Sequence, residues 1–333
     1  MLPTRSLKCR IAPSVSAAFA EGSASLGLFP FSYTTPETSK LMPATPGASA
    51  VAPSSAIAPY LQLHVATLLF GIAGVIGRAT ALSPFILVEA RASLAAWALF
   101  YVAWIRKLPL GAELAHRLWF AVLGLLLAFH WYSFFQAIQL SGVTIGLLSF
   151  SSFPIFVVLL APYVDGSQAR KRDFILIPVM LIGLRLMMPQ PDIDLHNLIG
   201  PLWGIASGFS FAIMQIVGRS LVKHHSPIKV SAYQNAVAAL VLLPFMQRAA
   251  LPETALALGE LLFLGIFCTA LAHTLFISGM RFVSAQTASM FTYLEPVYGI
   301  GIAALLLHEI PSLQTLSGGA IILASVYIAS RSQ

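Results

Sequence analysis

Titratable side chains are scarce in this sequence, and several stand inside long apolar runs. Glu89, Arg91, His130, His273 and Glu295 are the deepest, with Arg78 and Arg185 nearer the ends of their runs. A charge in the middle of a membrane helix costs about 2.5–3.5 kcal/mol on insertion scales, so each needs a partner, a cavity or a function. Glu295 precedes Pro296. It can bind a coupling proton or the cationic end of a solute. Alternatively, its protonated carboxyl serves the Thr292 carbonyl that Pro296 deprives of its helical donor. Arg91 can attract an anionic group such as a carboxylate. Glu89 and Arg91 are two residues apart and point to nearly opposite helix faces, so they cannot pair directly.

The remaining candidates have plain structural readings beside functional ones. Gly71, Gly74 and Arg78 share one helix face, where the glycines admit a neighbouring helix or a solute. Snorkelling accounts for Arg78 and Arg185. His130 and His273 serve either as proton relays or as hydrogen-bonded packing residues. Trp131 either stacks on a substrate or faces core or lipid. Gln286, Ser289 and Tyr293 form a polar stripe that belongs against protein or water. His224-His225 reads as solvated in a basic loop, and His308-Glu309 as a cap or interface pair. There is no Gly-rich phosphate loop, no His-Glu-x-x-His helix and no Gly-x-Ser-x-Gly elbow. Cys9 and Cys268 have no metal-ligand spacing. No cofactor or metal is expected.

The elements that hold these residues are membrane helices. Hydrophobic residues make up 58% of the 333 and charged ones 9%, against about 25% charged in soluble domains. Only lipid solvates so apolar a surface. The net charge of +7 does not indicate nucleic acid, because the basic residues sit in short gaps between apolar runs. About 20 residues at 1.5 Å rise cross the hydrocarbon. That length gives ten spans: 61–82, 84–104, 118–138, 143–163, 174–189, 199–218, 230–247, 260–278, 285–306 and 313–330.

One set of alternate loops holds Arg106, Lys107, Arg117, Arg170, Lys171, Arg172, Arg219, Lys223, Lys229 and Arg281, and the other only Arg248. By the positive-inside rule both termini are cytoplasmic. The expected location is an integral protein of the plasma (inner) membrane. Residues 1–59, rich in Ser, Ala and Pro, read as a disordered tail. An organelle transit peptide is the alternative.

An internal repeat is visible. Phe70-Gly71-Ile72-Ala73 is matched by Trp203-Gly204-Ile205-Ala206. His130, Phe134 and Pro154 are matched by His273, Phe276 and Pro296. The halves are 60–190 and 198–330, five helices each. Five is odd, so the second half enters the membrane inverted, the arrangement of many secondary transporters. The expected fold is all-α and polytopic, with ten transmembrane helices in two inverted five-helix repeats.

His130-Trp131-Tyr132-Ser133-Phe134-Phe135-Gln136-Ala137-Ile138 resembles the third helix of EamA-type carriers of the drug/metabolite transporter superfamily. The ordered set Leu271-Ala272-His273-Thr274-Leu275, Ser284-Ala285-Gln286-Thr287-Ala288, Leu294-Glu295-Pro296-Val297, His308-Glu309 and Gly318-Gly319-Ala320-Ile321-Ile322-Leu323 is similar to the family's end pattern. The resemblance covers about 60–330. It implies export or exchange of small metabolites, with helices 5 and 10 away from the solute path. One departure is Ala161-Pro162, where relatives often carry Glu-Pro, so no first-half glutamate role carries over.

The expected function is a secondary transporter of small organic metabolites, such as amino acids or organic anions, working by alternating access. The expected partners are the solute, the lipid bilayer and a coupling proton. The oligomeric state is open, a homodimer included. A membrane-embedded enzyme using His130, His273 or Glu295, and a non-transporting sensor or scaffold, are the alternative readings.

Overall fold

The computed structural model describes residues 57–80, 82–164, 171–187, 199–248, 254–307 and 312–330. The tail 1–56, His308, Glu309 and the side chain of Arg78 lie outside the described residues. Every described element is helical. The elements are α1 (Ala58–Ala79), α2 (Pro84–Ile105), α3 (Leu114–Phe150), α4 (Phe153–Val164), α5 (Lys171–Met187), α6 (Ile199–Val222) and α7 (Pro227–Leu242). They continue with α8 (Ala255–Met280), α9a (Ala285–Phe291), α9b (Leu294–Leu307) and α10 (Leu313–Ser330).

Six of these helices are individually long and apolar enough to cross a membrane. The other crossings are pieced together or shorter. α3 doubles back: a Cβ on Gly146 would lie 3.0 Å from the backbone N of Ile138, whereas a straight helix separates these residues by about 12 Å. Its last turns and α4 therefore form the fourth crossing. α9a and α9b form the ninth.

Local sequence sets the helix starts. α2 and α7, the second helices of the two repeats, both open on Ser-Pro. The Ser83 hydroxyl accepts from the Ile86 N–H, and the Ser226 hydroxyl from the Lys229 N–H. Each Ser caps an orphan donor, while Pro at N1 has no N–H to orphan.

Packing follows the repeat. α1 lies against α8 and α9b, as α6 lies against α3 and α4; α2 pairs with α7, and α5 with α10. Exchanging the repeats maps this set of pairs onto itself. Each repeat has five crossings, so the second is inverted relative to the first. Close approach depends on small residues. A Cβ on Gly71 would meet the Glu295 carbonyl oxygen at 3.0 Å and the Gly299 N at 3.1 Å. The matching Gly204 lies directly on Ser149. Ala95, Ala232 and Ala270 surround Leu99 where α2, α7 and α8 meet. Small contact residues of this kind let membrane helices gain dispersion energy without a hydrophobic driving force.

Candidate functional site

Two crossings break at corresponding places. α9 is interrupted at Thr292 and Tyr293, just before Glu295-Pro296. The fourth crossing is interrupted at Ser151 and Ser152, just before Phe153-Pro154. Each proline sits in the first turn of the helix that resumes, where a missing N–H costs nothing. Side-chain hydroxyls occupy the loosened carbonyls. Ser151 donates to Leu147 O at 2.7 Å, Ser152 to Ser149 O at 2.8 Å, and Thr292 to Ser289 O at 2.7 Å. The Thr292 carbonyl accepts the backbone N–H of Glu295 at 2.9 Å. The expected rescue by the Glu295 side chain is therefore not what occurs. The chain turns tightly at the break and serves that carbonyl itself, leaving the carboxyl available to the site. Glu295 also stands in the first turn of α9b, where the partial positive charge of a helix N-terminus favours an anion.

Arg91 projects from α2 into the interior and is 3% exposed. Its Nε donates to Thr269 Oγ1 at 2.9 Å and its Nη2 to the Cys268 carbonyl at 3.3 Å. That carbonyl belongs to a π-helical turn, Ile266–Leu271, within α8. The wider turn breaks the i→i−4 register and frees acceptors for a partner. Thr269 in turn donates to Leu264 O at 2.7 Å, which orients its hydroxyl toward Arg91. The guanidinium carbon lies 4.4 Å from the Trp131 ring centroid and 5.8 Å from that of Phe135, within cation–π range. Among the described residues, no carboxylate oxygen comes within 4.0 Å of this guanidinium. The cation is oriented by neutral groups, and part of its donor set remains for something else.

The two deep histidines differ. His130 Nδ1 lies 2.8 Å from Ser207 Oγ, the ring stacks on Phe211 at 4.7 Å, and Ser207 Oγ donates back to the His130 carbonyl at 2.9 Å. The repeat places Gly74 where Ser207 would clamp His273. Among the described residues that imidazole meets ring edges, Phe70 at 5.1 Å and Trp131 at 5.0 Å, and no hydrogen-bond partner.

These groups face one cavity between the repeats. It is lined by Phe70, Ala73 and Gly74 from α1, Arg91 from α2, His130, Trp131, Phe134, Phe135 and Phe150 from α3, Phe211 from α6, His273 from α8 and Glu295 from α9b. Among the described residues, none of α5 or α10 lines it. The space open to water centres is ≈ 40 Å³, room for about three waters at roughly 10–15 Å³ each. A small-molecule pocket needs about 300 Å³ or more, so admitting an organic solute requires the repeats to part. The glycine face of α1 is split in use: Gly71 is buried against α9b, whereas a Cβ on Gly74 would meet nothing within 4 Å.

The other sequence candidates lie elsewhere. Glu89 is buried on another face of α2, where its carboxylate accepts from Ser93 Oγ at 2.6 Å. Gln286 and Tyr293 are buried at 2% and 0% but do not line the cavity. Tyr293 packs near Phe153 at 6.4 Å. Arg185 is exposed on α5, in keeping with snorkelling. His225 is not simply solvated. The start of α3 brings His116 against it at 3.0 Å and α7 brings Lys229 at 3.2 Å. Burial first, then Lys229 and the neighbouring imidazoles, push its pKa down to about 4.

Sequence reasoning missed the aromatic wall and Thr269. A threonine within an apolar run was a signal for the latter. The phenylalanines carried none, since a Phe facing lipid, core or cavity reads the same in sequence.

Comparison with known proteins agrees with this architecture. The model of the EamA-like transporter family matches residues 58–188 and again 198–331. An uncharacterized transporter of Archaeoglobus fulgidus is 32% identical over 201 residues, 60% of this chain and 71% of its own. An S-adenosylmethionine uptake transporter of Rickettsia prowazekii is 26% identical, covering 62% of this chain and 69% of its own. A solved crystal structure superposes with a TM-score of 0.71 at 18% identity, covering 83% of this chain and 97% of that one. With a ten-crossing inverted-repeat bundle and a family match over each repeat, this chain belongs to the EamA-like transporter family and is an integral membrane transporter.

Proposed function

We propose that this chain is a secondary transporter for small organic zwitterions, amino acids or amino-acid-like metabolites, working by alternating access. The observation that carries the reading is the pairing across one cavity of Arg91, oriented by neutral partners, with Glu295 at a helix start. Arg91 takes the carboxylate of the solute. Glu295 takes its cationic end, or a coupling proton when the solute has left. The aromatic wall of Phe70, Trp131, Phe134, Phe135 and Phe211 suits an apolar, aromatic or cationic body. An organic anion would engage Arg91 alone. The relatives named as S-adenosylmethionine uptake transporters add one solute with an amino-acid head and a cationic body to the panel.

The enzyme reading asks His130, His273 or Glu295 to act as acid–base groups; all three line the cavity, but the His130 ring is clamped by Ser207 and stacked on Phe211, and a transporter family match favours carriage over chemistry. The excess of Lys and Arg on one set of loops supports an orientation in the plasma membrane with both termini and the Lys223–Lys229 end of the bundle cytoplasmic. Reporter fusions after Arg106, Arg172 and Lys223 all reading inside would agree, and one reading outside would overturn the orientation.

The test is counterflow in proteoliposomes with L-methionine, L-phenylalanine, succinate and S-adenosylmethionine, each gradient run in both directions to separate export from uptake. Saturable counterflow of a zwitterion is expected. Glu295→Gln should lose pH-driven accumulation and retain exchange. Flux of succinate alone, or an unchanged pH response in the Gln variant, would sink the corresponding role.

A further inference from the structure

On the basic side of the central cavity lies a second, smaller one. Its lining includes Gln215 from α6, Gln234 from α7, and Ile277 and Met280 at the end of α8. Phe70, Phe211 and His273 line both cavities and therefore form the wall between them. Gln215 is 1% exposed and Gln234 2%. Among the described residues, both amide atoms of Gln215 and the Nε2 of Gln234 have no hydrogen-bond partner. The space open to water centres is ≈ 10 Å³, about that of one water.

Two unpaired amides in the core of a membrane bundle are costly, and Leu or Met would fill the same volume without that cost. Such groups are tolerated where something else supplies their partners in another step of the protein's cycle. We propose that Gln215 and Gln234 form a second docking station for the solute's polar head, behind an inner gate of Phe70, Phe211 and His273. This rests on the transporter reading above. The head group it fits is uncharged or zwitterionic, because the chamber lining holds no Arg, Lys, Asp or Glu among the described residues. Amides donate and accept with equal ease, so they can hold a carboxylate and an ammonium together without favouring either ion. A solute released from Arg91 and Glu295 meets weaker, neutral partners next, which suits departure toward the basic end. Phe70 is the moving part of the gate. Phe211 is wedged among the rings of His130 at 4.7 Å, Phe153 at 5.1 Å and Phe150 at 5.4 Å, whereas Phe70 meets the rings of His273 at 5.1 Å and Phe276 at 5.8 Å among the described residues.

The experiment uses the full chain with Cys9 and Cys268 replaced by Ala, in oriented vesicles, and an impermeant sulfonatoethyl thiol reagent. Gln234→Cys should react from the basic side at least tenfold faster than the lipid-facing control Leu240→Cys. From the opposite side it should react at background. L-methionine should slow the reaction at least threefold. Reaction no faster than the control would overturn the station, whatever the protein transports. In the second arm, Gln215→Met with Gln234→Met keeps the volume and should fold at least as stably as wild type. Its KM for L-methionine counterflow should rise about tenfold, and a wild-type KM would overturn the station. Failure of the wild type to carry L-methionine would count against the solute class alone, with the labelling rates still deciding whether the chamber opens.

Discussion

Two crossings break at the level of the cavity, and the residue ahead of the proline differs: Phe153 before Pro154, Glu295 before Pro296. The backbone device is the same in both repeats, a two-residue interruption with hydroxyls serving the loosened carbonyls. The side chains diverge. Phe153 packs against Phe150 at 5.1 Å and Phe211 at 5.1 Å, so the first break is filled with rings. Glu295 faces the cavity that Arg91 also faces. The histidines repeat the lesson, with His130 clamped by Ser207 and His273 opposite Gly74. Symmetry builds the cavity, and departures from symmetry give it a chemically distinct pair of walls.

Making the second break resemble the first is the strongest challenge to that comparison. Glu295→Phe should reduce zwitterion counterflow roughly tenfold to a hundredfold, as expected for losing a charged hydrogen-bond partner. Adding Phe153→Glu should not restore it, since that carboxylate would enter a ring-packed site. Wild-type counterflow in the double variant would show that the two breaks are interchangeable and end the argument.

Stability should separate the two histidines. His130→Ala leaves a cavity and removes the imidazole from Ser207 Oγ, so thermal unfolding in detergent should show a loss of about 2–4 kcal/mol. His273→Ala should cost under about 1 kcal/mol, because its ring holds no hydrogen bond among the described residues. Equal losses would mean the clamp is not what distinguishes them. On α1, Gly71→Ala should cost about 1–3 kcal/mol, because backbone atoms of α9b stand 3.0–3.1 Å from the new methyl. Gly74→Ala should stay within about 0.5 kcal/mol.

The smallest effect concerns His225. Its pKa is pushed down to about 4 from an ordinary 6.5, so the folded chain keeps it neutral where the unfolded chain is protonated. Its contribution is complete above pH 6.5 and declines as pH falls toward 4. The residue is only half-buried at the end of the bundle, so solvent screening limits the effect to roughly 1 kcal/mol or less. His225→Asn should flatten the unfolding profile over that window.

Much of the scaffold was legible in the sequence. Apolar runs, the loop charge alternation and the paired Gly-Ile-Ala segments lead to ten crossings and an inverted repeat. Arg91, His130, Trp131, His273 and Glu295 stood out because polar groups in lipid demand a reason. The π-turn that opens the Cys268 carbonyl was not legible, since no local sequence feature marks Ile266–Leu271 as wider than an ordinary helix. Nor was the position of Tyr293 and Gln286. The break at Thr292 turns α9a relative to α9b, and a stripe counted along an unbroken helix does not survive that turn. Gln215 and Gln234 carried the same signal as the deep charges, but a neutral amide in an apolar run draws less notice than an ion.

The way α1 and α6 are exchanged between repeats bears on how the protein is made. α1 is finished about 175 residues before α8 begins, some 10–35 s earlier at roughly 5–20 residues per second of synthesis. Throughout that interval the Gly71 face has no protein surface to lie against, because its partner α9b comes later still. α6 has the opposite experience, emerging to find α3 and α4 already in the bilayer. The first repeat must therefore persist as an unfinished bundle, held by lipid and the insertion machinery, until the last quarter of the chain arrives. A ribosome stalled between the repeats would leave an apolar assembly with its central groove uncovered, a natural substrate for membrane quality control.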